Sequence, residues 1–294
     1  MRLNIAGAFS KANNLRLYMT VNKKKLNEFQ ITVYDGINNC AWNGGRINRD
    51  IDYCDEMIDF YYRHNISIAL TFTNPVIDLS DKTGNHLLEK FHKTDNVIIS
   101  VNEDLRNYVQ QNFPKYKHTR SITSFGSISV PMSDEDVDRY IDLETRYDFI
   151  VPRCEHVFDR RFSELNQDKY EIMLNDTCIY NCPFYGEHFE KIAEQNRLYT
   201  KPWEQGGDHN MYEIEECWLS ERSTYKPQTN FEPDTGDVKA ITKHGDSYGM
   251  DLKKSQIKQL ISNGVRNFKI TGREMTDVDF NNDIDLYISM LMSQ

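Results

Sequence analysis

The feature that most constrains the fold is an alternation, along most of the chain, of short strand-like segments with helical patterns. Eight segments rich in Val, Ile, Leu and Phe have the length of strands, and several are continuous apolar runs, typical of strands buried on both faces. Between most of them, apolar residues recur at helical spacing. The predicted strands are 3–9, 29–34, 66–72, 97–101, 120–125, 149–151, 171–174 and 267–270, and the predicted helices are 52–63, 85–91, 105–113, 134–141, 161–166, 184–195, 254–262 and 279–292.

Alternating strands and helices indicate a parallel sheet. Eight strands in 294 residues fit a (β/α)8 TIM-like barrel, for which roughly 250 residues is typical. A doubly wound open sheet is the alternative, but it would carry a Gly-rich phosphate loop after the first strand, and the sequence GAFSK at 7–11 is not such a loop. We therefore predict a single TIM-like barrel domain over residues 1–294.

One segment, residues 198–251, breaks the alternation. It is rich in Gly, Pro, aromatic and acidic residues and shows little periodicity. In a barrel it is an irregular insertion between strands 7 and 8, at the end of the barrel that carries function. Its aromatic residues favour an ordered loop; they include Tyr199, Trp203, Tyr212, Trp218 and Tyr225.

Composition and charge narrow the function classes. With 39% apolar and 27% charged residues, the composition is that of an ordinary soluble globular protein. No run approaches the roughly 18 apolar residues of a membrane helix, and the first residues lack signal-peptide architecture. These observations predict a cytoplasmic protein without a membrane partner. The net charge of −10 argues against a broad nucleic-acid-binding face, so we expect a small-molecule substrate, with a protein partner as a further option.

The candidate metal ligands are cysteines. Cys178 and Cys182 lie at the exit of the predicted seventh strand, and Cys217 follows in the insertion. In a reducing compartment, clustered cysteines indicate metal binding or catalysis. A [4Fe–4S] cluster takes four thiolates, or three with one open iron. Zinc is the alternative, because thiolate sites accept both metals.

The fourth ligand has more than one candidate. Cys154 follows the predicted sixth strand, which neighbours the seventh, and it is the better candidate. Cys40, after the second strand, would have to reach across the barrel mouth, and His188 is a further possibility. The competing interpretation is that these cysteines are small buried hydrophobic residues.

The candidate substrate-binding residues are basic and follow strand ends. In Gly44-Gly45-Arg46 the glycines allow close backbone approach to a ligand, and the guanidinium suits a carboxylate or phosphate. Lys269 and Arg273, at the end of the eighth strand, add positive charge at the same rim, although Arg273 could equally close a salt bridge across strand ends. Zinc-hydrolase and Ser or Cys nucleophile signatures are absent, so we assign no catalytic residue.

Two motifs together resemble the U-thirty-two, or collagenase-like, peptidase family. The first is LNDTC at 174–178 with CPF at 182–184 and His188, and the second is FKITGR at 268–273. The second motif is similar to the family's Lys-Ile-Glu-Gly-Arg signature, with Thr271 in place of the Glu.

The resemblance implies a TIM-like barrel and an oxygen-sensitive [4Fe–4S] cluster held by four cysteines. Cys178, Cys182 and Cys217 carry over as ligands, and we take Cys154 as the fourth. Relatives perform oxygen-independent hydroxylation. We therefore expect an iron–sulfur barrel enzyme of hydroxylation or related redox chemistry on an anionic or small-molecule substrate. The alternatives are a non-catalytic, metal-clamped barrel within a heteromeric complex and, less favoured, a peptidase.

Overall fold

Eight parallel strands in chain order form a nearly closed barrel, as predicted. Hydrogen-bonded ladders link consecutive strands around the ring, and a parallel bridge between Ile150 and Tyr170 joins its two ends. The strand order has no reversal, so the open-sheet alternative is wrong. The strands are β1 (Arg2–Ala6), β2 (Gln30–Asp35), β3 (Ser67–Phe72), β4 (Val97–Ser100), β5 (Lys117–Arg120), β6 (Phe149–Ile150), β7 (Glu171–Met173), β8 (Asn175–Asp176), β9 (Lys239–Thr242), β10 (Tyr248–Asp251) and β11 (Asn267–Ile270), of which β1–β7 and β11 form the barrel.

The computed structural model describes most of the barrel and part of the predicted insertion. The described residues are 1–37, 39–44, 52–126, 128–176, 185–201, 206–207, 239–242, 248–273 and 275–293.

Four of the nine helices in the described part of the chain begin where the sequence provides a capping side chain. Asp81, Asn102, Ser133 and Thr276 each accept a hydrogen bond from a backbone N–H in the first turn of the helix that follows. No helix in the described part of the chain is long and apolar enough to cross a bilayer. The helices are α1 (Ala12–Val21), α2 (Lys23–Leu26), α3 (Asp55–Arg63), α4 (Lys82–Lys90), α5 (Glu103–Asn112), α6 (Asp134–Arg146), α7 (Tyr185–Tyr199), α8 (Lys254–Ser262) and α9 (Asp277–Met292).

The fifth strand differs from its predicted position. The prediction placed it at 120–125, but β5 is the polar sequence Lys117–Arg120, paired with β4, and Ile122–Ser124 forms a 3-10 turn. Phe125, at the end of the predicted strand, lies outside β5 and packs on Tyr140 of α6, with ring centroids 5.1 Å apart. The predicted helix at 161–166 is likewise reduced to one 3-10 turn, Phe162–Glu164.

The core has an outer layer and an inner one. Leu3 and Ile5 of β1 face the helices and belong to the large apolar cluster between helices and barrel. The next residue, Ala6, faces the barrel interior in a smaller cluster that contains Tyr34 and Ile99. This alternation follows from the two-residue repeat of a strand. Polar side chains share the inner face, and they build the interior of the site.

An excursion separates β7 from helix α8. The chain leaves the barrel at Asn175 and returns at Asp251, and these two residues pair in the antiparallel β8–β10 ladder. Leu252 N then donates to Leu174 O at 2.8 Å. Helix α8 follows and packs on α9, so α8 occupies the seventh helical position of the barrel. Most of the predicted insertion, 198–251, lies outside the described residues.

Candidate functional site

Helix α7 lies across the carboxyl-terminal end of the barrel. Near its start, the Tyr185 ring covers the Arg153 guanidinium just after β6, with 3.6 Å between Cζ and the ring centroid. The helix also contacts the turn Ile122–Ser124 after β5. Further along, Ala193 O accepts a hydrogen bond of 2.8 Å from Asn74, which follows β3. The fifteen-residue helix is about 22 Å long, and it covers the end of the barrel where barrel enzymes place their active sites.

Asn74 joins α7 to two loops of this rim. The side chain is fully buried, and its Nδ2 donates to Asn43 O at 3.0 Å as well as to Ala193 O. Its Oδ1 accepts from Arg197 Nη1 at 2.8 Å, and its backbone N donates to Trp42 O at 2.9 Å. Sequence reasoning missed this role; the available signal was an Asn directly after a buried strand and before a proline.

Gly44 makes a close approach, but to backbone rather than to a ligand. A Cβ on Gly44 would lie 2.2 Å from Thr73 O, so only glycine fits between the loops after β2 and β3. The predicted ligand contact of this glycine is therefore replaced by a packing role. Its neighbours Gly45 and Arg46 lie outside the described residues, and substrate binding by Arg46 stays a prediction.

Lys269 lies inside the barrel, where an ion pair already binds its ammonium group. Its Nζ is 3.0 Å from Glu171 Oε1 and 3.8 Å from the centroid of the Tyr34 ring. Burial lowers the pKa of Lys269, and the Glu171 carboxylate opposes that shift. The sequence placed this lysine at the rim; the strand instead directs its side chain into the interior.

Glu171 extends this network toward the amino-terminal end of the barrel. Its Oε2 accepts from Asn4 Nδ2 at 2.6 Å and lies 3.6 Å from Arg2 Nη1. The Arg2 guanidinium also stacks on Phe149, 3.9 Å from the ring centroid. Charged and polar groups thus fill part of the barrel interior, and each charge has an opposite charge beside it, as burial requires.

Arg273 closes a salt bridge across strand ends, which was the alternative left open by the sequence. Its Nη1 is 2.5 Å from Asp35 Oδ1. Asp35 is fully buried, and its other oxygen accepts from Ser10 Oγ at 2.7 Å and from Phe9 N at 3.2 Å. A substrate-binding role for Arg273 stays a prediction, made for a side chain that already has a carboxylate partner.

The two sequence motifs meet side by side at the rim. Thr271 N donates to Asn175 Oδ1 at 2.7 Å, and Asn175 Nδ2 lies 3.3 Å from Thr271 O. The Thr271 hydroxyl also contacts Asn175 Oδ1, at 3.2 Å. Thr271 therefore helps align the exit of β7 with that of β11.

Cys154 lies at the same end of the barrel, beside the start of the cysteine motif. Its Sγ is 3.6 Å from Asp176 Oδ2. Burial raises the pKa of the Cys154 thiol well above its ordinary value, and the carboxylates of Asp176 and Glu155 raise it further. Within the described residues, no three His, Cys, Asp or Glu side chains are grouped closely enough to hold a metal ion. The predicted ligands outside those residues are Cys178, Cys182 and Cys217.

The other candidates for a fourth ligand are Cys40 and His188. Cys40 is buried in the large apolar core, which raises the pKa of its thiol to about 12. His188 lies in the first turn of α7, with its ring 5.3 Å from that of Phe189.

A nearly closed ring of eight parallel strands with helices between them defines this chain as a TIM-like α/β barrel protein. The chain is similar in fold to the solved structure of a U32 peptidase, Mk0906: the TM-score is 0.51, the match covers 94% of each chain, and 8% of residues are identical. At this identity the match shows a shared fold. No family model and no curated protein matches the chain.

Proposed function

We propose that this chain is a U32-like iron–sulfur barrel enzyme. Its reaction is an oxygen-independent hydroxylation, or related redox chemistry, on an anionic or small-molecule substrate. The proposal rests on the two sequence motifs, on the shared barrel fold, and on contacts that converge at the carboxyl-terminal end of the barrel.

One observation carries the proposal: the described residues on both sides of segment 177–184 contact the same short stretch after β6. Asp176, before the segment, contacts Cys154, and Tyr185, after it, covers Arg153. By sequence, Cys178 and Cys182 belong to this segment. Consecutive Cα atoms are about 3.8 Å apart, so the chain length allows both thiols to reach the neighbourhood of Cys154.

This convergence favours Cys154 over Cys40 as the fourth ligand, beside Cys178, Cys182 and Cys217. Cys154 lies at the edge of the large apolar cluster and beside the Asp176 carboxylate, whereas Cys40 is buried inside that cluster. Ligation requires the thiolate, so a bound metal would have to displace the Cys154 proton, and the raised thiol pKa lowers the metal affinity at a given pH. A bound cluster would supply electron transfer or, with an open iron, Lewis-acid chemistry.

The residues of the barrel mouth have separate roles in this proposal. Arg46 binds the anionic group of the substrate directly. Lys269 and Arg273 act indirectly, by holding the strand ends around the site, because a carboxylate partner already neutralises the charge of each. Helix α7 limits the access of water to the site.

A second candidate is a non-catalytic, metal-clamped barrel that serves as a subunit of a heteromeric complex. The ion pairs of Lys269 and Arg273 favour it, since two of the three proposed anion-binding groups are satisfied within the fold. In that case zinc or a cluster would fasten the excursion to the barrel, and the partner would be a protein.

Metal analysis of protein purified without oxygen separates these candidates. The proposal expects a brown protein with near-equal iron and sulfide, whose visible absorption bleaches in air. A colourless protein with one zinc would favour the structural clamp. A colourless protein without metal would contradict both.

A further inference from the structure

The exposed apolar side chains of the described residues are concentrated on two neighbouring helices. Nine large apolar side chains are exposed in that part of the chain, and five of them lie on α1 and α9. Single exposed apolar residues are normal on a protein surface, whereas a group of them marks an interaction surface. The five residues, which define what we call the α1–α9 face, are Leu17, Val21, Val278, Leu286 and Met292.

Helices α1 and α9 run side by side in the same direction. The side chains of Asn14 and Asn281 donate to each other at 3.0 Å, and Tyr18 Oη donates to Asp285 Oδ1 at 3.0 Å. Both contacts join residues 267 positions apart in the chain. A residue of α1 is therefore level, along the helix axis, with the residue of α9 at this offset.

The offset places the apolar residues of the face at interleaved levels. Leu17 is level with Ile284, and Val21 is level with Ile288. Leu286 lies midway between these levels, about 3 Å along the axis from each. A second α1 laid on α9 in the same direction and at the same level would therefore place its Leu17 and Val21 on either side of Leu286.

The two helices carry opposite charges. Residues 10–27, which hold α1 and α2, contain five Lys or Arg and no acidic residue, whereas residues 275–293, which hold α9, contain four Asp and no basic residue. Some of these charges pair within the chain, as Lys25 does with Asp285 at 3.2 Å. The α1–α9 face thus has a cationic side and an anionic side.

We propose that the α1–α9 face is the interface of a two-fold symmetric dimer of this chain. A rotation of 180° about an axis between the two copies, parallel to the helices, places α1 of each copy on α9 of the other without changing its level. Each cationic helix then faces an anionic one, and the apolar side chains meet between them. A bilayer with anionic headgroups or a nucleic acid would attract α1 but repel α9, so a second copy fits the face better.

The basic end of α2 also has a favourable position in this dimer. Lys23 and Lys24 follow Val21 in the chain and are exposed. Helix α9 ends at Met292, one turn beyond the level of Val21. The last carbonyl groups of a helix have no helical partner and favour a nearby cation. In the rotated copy the two lysines approach this end of α9.

The first test is sedimentation velocity of the full chain over a range of concentrations. The variant carries Leu17→Ser and Val21→Ser, and the matched control carries Val130→Ser and Ile141→Ser, two exposed apolar residues away from the face. We expect the wild type and the control to dimerise alike and the variant to associate at least about 100-fold more weakly. Both changes in the variant replace exposed side chains, so it should fold as the wild type does.

Disulfide cross-linking tests the arrangement of the helices. Protein carrying Leu17→Cys is mixed with protein carrying Leu286→Cys under mild oxidation, with the wild type as control for the native cysteines. Because α1 of one copy faces α9 of the other, we expect linked dimers from the mixture. Either protein alone should give no more than the wild type.

Three outcomes overturn the inference. The first is a wild type that stays monomeric at every concentration; sedimentation of that monomer with vesicles of anionic lipid would assign the face to a membrane instead. The second is a dimer that persists unchanged in the Leu17→Ser, Val21→Ser variant. The third is a mixture of the two cysteine variants that links no more than either alone. The inference does not depend on the proposed iron–sulfur function, so a chain without a cluster leaves these tests as they are.

Discussion

The guanidinium of Arg273 lies 2.5 Å from the carboxylate of Asp35, an ion pair that joins the carboxyl ends of β11 and β2 across β1. Arg273 is the last residue of the FKITGR motif, and from the sequence we predicted that it binds substrate. In the fold it also fastens the rim, because Asp35 organises the loop after β1 through Ser10 and Phe9.

Replacing Asp35 by Ala should destabilise the fold strongly. The change leaves Arg273 and backbone N–H groups near Asp35 without their acceptor, and breaking a buried pair in this way costs about 3–5 kcal/mol. Urea unfolding measures the loss. The control is Lys25→Met, which removes the exposed Lys25–Asp285 pair and should cost less than about 1 kcal/mol. Equal losses in the two variants would contradict the role given to Asp35.

Lys269 and Glu171 should show strong coupling. Lys269→Met removes one of the cations beside the Glu171 carboxylate. Glu171→Gln removes the negative charge that faces both Lys269 and Arg2. Each single change should cost about 3 kcal/mol or more, and the double variant should cost less than the sum. A double-mutant cycle in urea measures the coupling. Additive losses would show that the pair does not interact as described.

His118 should make stability depend on pH between about 4 and 6.5. Burial lowers its pKa to about 4, whereas an unfolded histidine titrates near about 6.5. In that window the unfolded chain binds more protons than the folded one, so stability falls as the pH decreases. Urea unfolding across the window should give a flatter pH dependence for His118→Asn than for the wild type. A pH dependence for His118→Asn equal to that of the wild type would refute the assignment.

The hydrogen bonds of Asn74 should hold α7 against local unfolding. Asn74→Ala removes the hydrogen bonds to Ala193 O and Arg197 and leaves buried carbonyls unpaired, at about 1–3 kcal/mol for each group. We expect faster amide hydrogen exchange in α7, with the barrel strands protected as before. The control is Asn112→Ala, which loses only an exposed bond to Tyr108 O. Unchanged exchange in α7 would mean that Asn74 does not fasten the helix.

The barrel was predictable because strands of a parallel sheet are apolar on both faces. The failure at β5 has the same cause, since Lys117–Arg120 is polar and its pairing with β4 is not visible in the sequence. Helix α7 was predicted as a helix, at 184–195, but a helical pattern does not say which surface the helix covers. Its place over the mouth depends on contacts such as that of Asn74 with Ala193, far apart in the chain.

The site was only partly predictable, for a related reason. Residue types at strand ends indicated which side chains would gather at the rim, and Arg273 and Cys154 do lie there. Sequence could not show that Arg273 and Lys269 have carboxylate partners, because Asp35 and Glu171 are distant in the chain. Which groups are free to bind a ligand is decided by such pairings.

The most direct test of the proposed cluster is the iron and sulfide content of Cys154→Ala, purified without oxygen beside the wild type. Two controls accompany it: Cys40→Ala, which removes the competing ligand, and Cys54→Ala, which removes an exposed thiol. The account predicts near-equal iron and sulfide in the wild type and both controls, and loss of colour and iron in Cys154→Ala. A Cys154→Ala protein with the iron, sulfide and spectrum of the wild type would contradict it.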